Sequence, residues 1–129
     1  MLTADTNVWA RALLNDNHAQ ARIARLALVK ARSSDGVFVP LIVLAELSWV
    51  LRARWERERV LNALDGLLHA RGVTVESSAV ARKALEAART GPIGFADHLI
   101  AEVSFDAGVK EVITFDKPFA RLSKVRRLG

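Results

Sequence analysis

Short apolar runs alternate along this chain with longer segments of helical periodicity, and this alternation is the feature that most constrains the fold. The apolar runs predict strands at residues 2–4, 37–39, 73–75 and 112–115, with a last edge strand at 125–127. Strands that alternate with helices favour right-handed crossovers and a mainly parallel sheet. We therefore predict an α/β fold: a three-layer α/β/α sandwich with a mainly parallel central sheet.

The intervening segments have the periodicity of amphipathic helices. We predict these helices at residues 8–14, 19–32, 41–54, 58–70, 78–89 and 95–107, and a short one near 119–122. In the second helix Ile23, Leu26 and Ala27 share one face, which is the pattern of an apolar stripe that packs inward. Trp9 and Trp49 are expected in the core, and Trp55 at an interface.

Composition sets the class of protein. A length of 129 residues suits one domain, residues 1–129, and a hydrophobic fraction of 51% is enough for a core. The absence of cysteine excludes disulfides and thiolate metal sites. We see no signal peptide, and the longest uncharged apolar run, residues 37–45, is short of the ~18 residues of a membrane span. We expect a soluble cytoplasmic protein without a membrane segment.

A net charge of +5 raises the odds of a polyanionic partner such as RNA. The same charge also follows from an arginine-rich composition, because 14 of the 19 basic residues are Arg. Arg52 and Lys117 are the candidate RNA contacts, whereas Arg57 and Arg59 are expected to pair with neighbouring glutamates on a solvated helix.

Four acidic residues stand where a parallel sheet places its ligands, beyond the carboxyl ends of the strands. Asp5 follows the first predicted strand and Asp116 the fourth. Glu46 lies one turn into a very apolar helix, and Asp97 lies in the first turn of another. Asp5 and Asp116 could each simply cap a helix, and Asp97 could face a helix dipole.

Taken together, the four acids favour a metal site. An unpaired Glu46 among apolar neighbours would be costly to desolvate, and four acids at one sheet edge would raise each other's pKa. A hard divalent cation such as Mg²⁺ or Mn²⁺ prefers such oxygen ligands. His18, His69 and His98 form no ligand pattern, and we expect them at the surface.

Four motifs resemble those of the PIN-domain nucleases, and more narrowly the VapC-type toxins of toxin–antitoxin pairs. They are Asp5-Thr6-Asn7 after the first strand, Glu46 in its apolar helix, Phe95-Ala96-Asp97-His98 opening a helix, and Thr114-Phe115-Asp116 at the end of a strand. The resemblance spans nearly the whole chain in the family's order.

The resemblance implies an endoribonuclease that depends on Mg²⁺ or Mn²⁺, is typically a homodimer and is held inactive by a cognate antitoxin. It assigns the metal to Asp5, Glu46, Asp97 and Asp116, and supporting roles to Asn7 and Thr114. Because Lys117-Pro118 follows the last acid, the number of metal ions stays open. Two alternatives also stay open: a phosphatase-like enzyme that uses Asp5 for phosphoryl transfer, and a non-catalytic module that binds RNA or protein.

Overall fold

Helices and strands alternate in the computed structural model, which describes residues 1–129. Their order is β1 (Leu2–Thr3), α1 (Thr6–Leu14), α2 (His18–Arg32), β2 (Val37–Val39), α3 (Leu41–Arg52), α4 (Arg57–His69), β3 (Val73–Val75), α5 (Ser78–Arg89), α6 (Phe95–Asp106), β4 (Val112–Thr114), a short 3₁₀ helix (Phe119–Arg121) and β5 (Val125–Arg127). Every strand pair is parallel. The predicted α/β class with parallel strands is confirmed.

The chain divides into two compact units, Met1–Ser78 and Ala79–Gly129. In the first unit β2 lies between β1 and β3, with Val37 opposite both Leu2 and Val73. Parallel neighbours need crossover connections, and the helix pairs α1–α2 and α3–α4 supply them. Val37 and Val39 of β2 are fully buried, so this central strand forms the middle of the unit's core.

The buried face of α2 is not the one that the sequence predicts. Its buried residues are Ala21, Ala24, Leu28 and Ala31, whereas Ile23 is 69% exposed and Leu26 is 61% exposed. Three of these four buried residues are alanines, which have little side-chain bulk, and α2 lies against α1. The larger apolar side chains of α2 are left on the surface.

Helix α3 carries apolar residues on most of its faces, but only one face is buried. Its inward residues are Val43, Leu44, Leu47, Ser48 and Leu51. Trp49 is 63% exposed, with Ile42 and Val50 also at the surface, so the prediction that Trp49 lies in the core is wrong. Trp9 is buried, as predicted. When a helix lacks a polar face, its periodicity does not identify the side that packs.

The second unit contains α5, α6 and the pair β4–β5, in which Val112 lies opposite Val125. A small core joins Ala101 of α6 to Phe119 and Val125, with Phe105 packed against them. The strands of the chain thus form one sheet of three and one of two. No helix in either unit has the length and apolar composition that crossing a membrane requires.

A tight approach between the end of α2 and the turn before β3 holds the first unit together. Gly72 has φ +79°, and a Cβ atom there would lie 2.3 Å from the carbonyl oxygen of Arg32. The Gly72 carbonyl accepts a hydrogen bond of 2.8 Å from Val37 N at the start of β2. Only glycine meets both the backbone angle and the contact.

We predict that Gly72→Ala lowers the free energy of unfolding by more than about 2 kcal/mol, because it combines a left-handed backbone with a backbone clash. Gly66→Ala is the matched control. Gly66 lies inside α4 with open space around its Cα, so alanine should raise stability by about 0.5–1 kcal/mol. Urea unfolding followed by circular dichroism measures both, and equal stabilities for the two variants would contradict the packing described here.

Candidate metal centre

Asp5 is placed by the start of α1. It follows β1 and is the N-cap of α1, with its Oδ1 accepting a hydrogen bond of 3.2 Å from Val8 N. This bond fixes the direction of the carboxylate and uses one of its two oxygens. The capping role considered for Asp5 is therefore present, and it does not exclude a second role for the other oxygen.

Asp5 and Asn7 open onto a cleft of about 610 Å³ between α1 and α2. Both helices contribute polar and apolar side chains to the cleft, and its lining is Asp5, Asn7, Val8, Arg11, Gln20, Ile23, Ala24 and Ala27. Both Asp5 and Asn7 are exposed, so solvent and solutes can reach the first acid.

Glu46 is exposed, which corrects the expectation that apolar neighbours surround it. The reason is the one-sided packing of α3, since Glu46 lies away from the buried residues of that helix. Its Oε1 accepts a hydrogen bond of 2.8 Å from the hydroxyl of Thr6. Holding Glu46 in place therefore costs conformational entropy of a flexible side chain, and it costs little desolvation because the side chain is exposed.

Thr6 is a functional candidate that the sequence reasoning missed. It is the first residue of α1, directly after Asp5, and its hydroxyl reaches Glu46 on α3. The bond spans 40 positions of sequence and links the segment of the first acid to the second acid. The only feature of the sequence that could have indicated this role is a hydroxyl residue next to Asp5.

Asp97 is half-buried in the first turn of α6. Burial raises the pKa of its carboxyl, the negative charge of Asp116 raises it further, and His98 acts weakly in the opposite direction. The Asp97 and Asp116 carboxylates are thus close enough to repel one another. A cation beside them would offset the repulsion from Asp116, which is the second cause of the raised pKa of Asp97.

Asp116 is positioned by two hydrogen bonds at the end of β4. Its Oδ2 accepts from Phe119 N, the first residue of the 3₁₀ helix, at 2.9 Å, and its backbone N donates to the Thr114 hydroxyl at 3.0 Å. Thr114 therefore contacts the backbone of the last acid directly. Lys117, the residue after Asp116, is exposed.

His98 is buried, with 5% of its surface exposed, so the prediction of a surface residue is wrong for this histidine. His18 and His69 are exposed, as expected. Helix α6 buries Phe95, Ala96 and Leu99 beside His98, while Ile100 is 49% exposed. The low contrast between the faces of this mostly apolar helix is again the reason.

The acids fall into two pairs: Asp5 and Glu46 in the first unit, and Asp97 and Asp116 in the second. Neither unit by itself contains a group of three or more His, Asp or Glu side chains that could hold a metal ion. The donor atoms are all carboxylate oxygens, the ligands that Mg²⁺ and Mn²⁺ prefer. The residues present fit a hard divalent ion in their chemistry, and the repulsion between Asp97 and Asp116 favours one.

A family model, the PIN domain, matches residues 3–125. The chain belongs to the PIN domain family. Among solved structures, this PIN domain is similar to the crystal structure of the Mycobacterium tuberculosis toxin VapC20, described as cleaving the sarcin–ricin loop. The two share 22% identity over 97% of each chain, with a TM-score of 0.47. No curated protein matches the chain.

We predict that Thr6→Val weakens Mn²⁺ binding about tenfold, because Glu46 loses a hydrogen bond to a charged acceptor. Thr6→Ser keeps the hydroxyl and should bind Mn²⁺ as the wild type does. Isothermal titration calorimetry on both variants provides the measurement. Equal affinities for the valine and serine variants would show that the Thr6 hydroxyl does not hold Glu46 for a metal.

We predict a pH-dependent gain in stability for Asp97→Asn in the absence of metal. An acid with a raised pKa holds its proton more tightly in the folded state, so stability is lost as pH rises from 3.8 through the raised value. Near pH 7 in EDTA the variant should melt ~1–3 °C above the wild type, and the difference should shrink towards pH 4.

Asp106→Asn, at the exposed end of the same helix, is the control for Asp97→Asn and should melt as the wild type does. A difference between Asp97→Asn and the wild type that did not depend on pH would remove charge repulsion as the explanation.

Proposed function

We propose that this PIN domain is a metal-dependent endoribonuclease and the toxin of a type II toxin–antitoxin pair. The observation that carries the proposal is the half-buried Asp97, whose pKa is raised by burial and by the neighbouring Asp116. In a chain of this family, such a pair supports a site that is completed by a cation. The chain's basic balance supports a polyanionic substrate.

In this proposal all four acids act together: Asp5, Glu46, Asp97 and Asp116 hold Mg²⁺ or Mn²⁺. A divalent ion, when bound, supplies positive charge that makes water a stronger nucleophile and shields the phosphodiester. One ion or two would both suit this donor set. We also propose that residues 1–129 act as one catalytic domain.

The residues around the acids have positioning roles. Thr6 orients Glu46, and the α1 backbone orients Asp5 through Val8 N. Thr114 and Phe119 N hold Asp116 at the end of β4. Asn7 supports the first acid from the rim of the cleft. Since these contacts fix carboxylate directions before substrate arrives, they reduce the ordering required at the moment of reaction.

Exposed residues support the proposed partners, which are RNA, an antitoxin and a second copy of the chain. Arg52 and Lys117 are both exposed and are the proposed RNA contacts. Exposed apolar side chains on α2 and α3, among them Ile23, Leu26 and Trp49, support docking of other protein chains, namely a cognate antitoxin and a second copy in a homodimer. Such a toxin would act on RNA in the cytoplasm.

We predict that the purified protein cleaves total RNA in Mg²⁺ or Mn²⁺ and not in EDTA. Asp5→Asn, Glu46→Gln and Asp97→Asn should each reduce cleavage about 100-fold or more, because each removes one negative ligand with little change in volume. Asp106→Asn is the matched control and should cleave as the wild type does. Circular dichroism checks that each variant is folded, and mapping of the RNA ends identifies the cleavage site.

Full cleavage by all three acid variants would end the proposal. Binding of RNA without metal and without cleavage would instead favour a non-catalytic module. A trapped aspartyl-phosphate on Asp5 would favour a phosphatase-like reaction.

A further inference from the structure

The cleft between α1 and α2 contains more than the first acid. Asn7 and Arg11 line it from α1, four residues apart and therefore on one face of that helix. Gln20 and Ile23 line it from α2. Its volume of about 610 Å³ lies within the range of small-ligand sites, ~300–1,000 Å³. The space suits a ligand of the size of one nucleotide.

The amide side chains of the cleft are available to a ligand. Asn7 and Gln20 are exposed, and neither side chain makes a hydrogen bond within the chain. Each amide offers two N–H donors and a carbonyl acceptor. An unpaired nucleobase presents donors and acceptors along its edges, so it can form paired hydrogen bonds with such groups.

Arg11 is oriented by an ion pair that uses only part of its guanidinium. Its Nη1 donates to the two oxygens of Asp16 at 3.1 and 3.4 Å, whereas Nε and Nη2 make no contact within the chain. Asp16 also accepts from Arg54 at 3.1 Å, so two arginines and one aspartate leave a net charge of +1. The remaining donors of Arg11 suit a phosphate, which guanidinium binds through paired hydrogen bonds.

Local contacts hold the two walls of the cleft at a fixed spacing. Asn15 ends α1 in a left-handed conformation, with φ 55°, and Asn17 begins α2 by accepting from Gln20 N at 3.1 Å. Such a short connection makes the two helices antiparallel neighbours. Arg25 of α2 also donates a hydrogen bond of 2.8 Å to the carbonyl of Ala12 on α1. The cleft is therefore preorganised for a ligand.

The groups of the cleft follow an order along α1. Arg11 comes six residues after Asp5, which corresponds to about 9 Å along a helix axis. Ile23, which is 69% exposed, adds apolar surface on the opposite wall. A nucleotide whose phosphate lies on Arg11 can thus extend towards Asp5, with the face of its base against Ile23.

We propose that the cleft between α1 and α2 binds one unpaired nucleotide of a single-stranded RNA, next to the bond that is cut. Arg11 binds its phosphate, Asn7 and Gln20 bind the edge of its base, and the base lies on Ile23. This cleft would select the nucleotide at the cut, because the amides read the edge of the base. The proposal rests on the proposed ribonuclease function.

A protein segment is the other class of ligand that a cleft of this size can take. An apolar side chain would cover Ile23, but it would leave the amides and the remaining donors of Arg11 without partners, which disfavours binding. A base and its phosphate match the apolar, amide and guanidinium groups together. Asp5, an acid of the proposed catalytic group, lies in the same cleft, so RNA is the ligand that the lining favours.

The first experiment observes these side chains directly by ¹H–¹⁵N NMR in EDTA. Each of the common ribonucleoside 5′-monophosphates is titrated into the protein, and inorganic phosphate is titrated separately. Nucleotides should shift the side-chain N–H signals of Asn7, Gln20 and Arg11, whereas inorganic phosphate should shift only that of Arg11. The indole N–H of Trp49, an exposed ring outside the cleft, is the reference for non-specific stacking.

The second experiment measures binding of a short fluorescein-labelled single-stranded RNA by fluorescence anisotropy, in EDTA and over a series of salt concentrations. Arg11→Gln should weaken binding about fivefold and reduce the salt slope by roughly 0.7, the value for one lost phosphate contact on a single strand. Arg22→Gln is the control, because Arg22 is exposed on α2 but does not line the cleft. It should keep the salt slope of the wild type.

A matched pair of apolar variants tests the contact with the base. Ile23→Ala should weaken RNA binding about fivefold without changing the salt slope, because it removes apolar surface and no charge. Leu26→Ala, at a residue of the same helix that is 61% exposed and lies outside the cleft, should bind as the wild type does. Melting curves establish that each variant is folded.

The outcomes separate this proposal from the proposed function. Unchanged amide signals, a Trp49 shift as large as theirs, or equal binding by the cleft variants and their controls would overturn the cleft, while metal-dependent cleavage could still be observed. Binding that is lost in the Arg11 and Ile23 variants, by a protein that never cleaves RNA, would support the cleft as a nucleotide site and end the nuclease proposal.

Discussion

The electrostatic repulsion between the carboxylates of Asp97 and Asp116 is the interaction on which the proposed metal site depends. Both carboxylates are placed by local structure, Asp97 by the first turn of α6 and Asp116 by the cap of the 3₁₀ helix. Partial burial and the neighbouring charge of Asp116 then make ionisation of Asp97 costly, as the raised pKa of Asp97 shows. Capping alone would explain Asp116, but it gives no reason to hold a second, half-buried acid beside it.

Capping and metal binding are compatible in this fold. Asp5 uses one oxygen for Val8 N and Asp116 uses one for Phe119 N. A carboxylate has lone pairs on two oxygens, so each cap leaves one oxygen available while fixing the direction of the group. The Glu46 carboxylate does not cap a helix. It is held instead by a hydrogen bond from the Thr6 hydroxyl of α1. Hydrogen bonds at the starts of helices thus fix the directions of these carboxylates, which would otherwise rotate freely.

Much of the fold could be predicted from the sequence, because the elements are set by local periodicity. The five strands and the helices between them fall where the pattern indicates, and the positions of Asp5 and Asp116 after strands follow from it. What the pattern did not predict is which side of an apolar helix packs. Ile23, Trp49 and Ile100 are exposed for this reason, and His98 is buried.

The errors in the site have the same origin. The environment of Glu46 was inferred from its neighbours in sequence, yet its exposure depends on which face of α3 meets the core. Thr6 was overlooked because its partner lies 40 residues away and no local pattern encodes that pairing. The sequence therefore offers the four acids as candidates, because their type and their place in a strand end or helix are local features, but it does not offer Thr6, which hydrogen-bonds to one of them.

An arginine-rich composition explains how much positive charge the chain carries but not where that charge lies. If the arginines of residues 52–59 were only solubilising, the adjacent glutamates would be their nearest partners. Glu56 is instead committed to the backbone of α4, and Arg59 to Trp55. Helix capping directs the Glu56 carboxylate towards the backbone of α4, and Arg59 contacts Trp55 instead of that carboxylate.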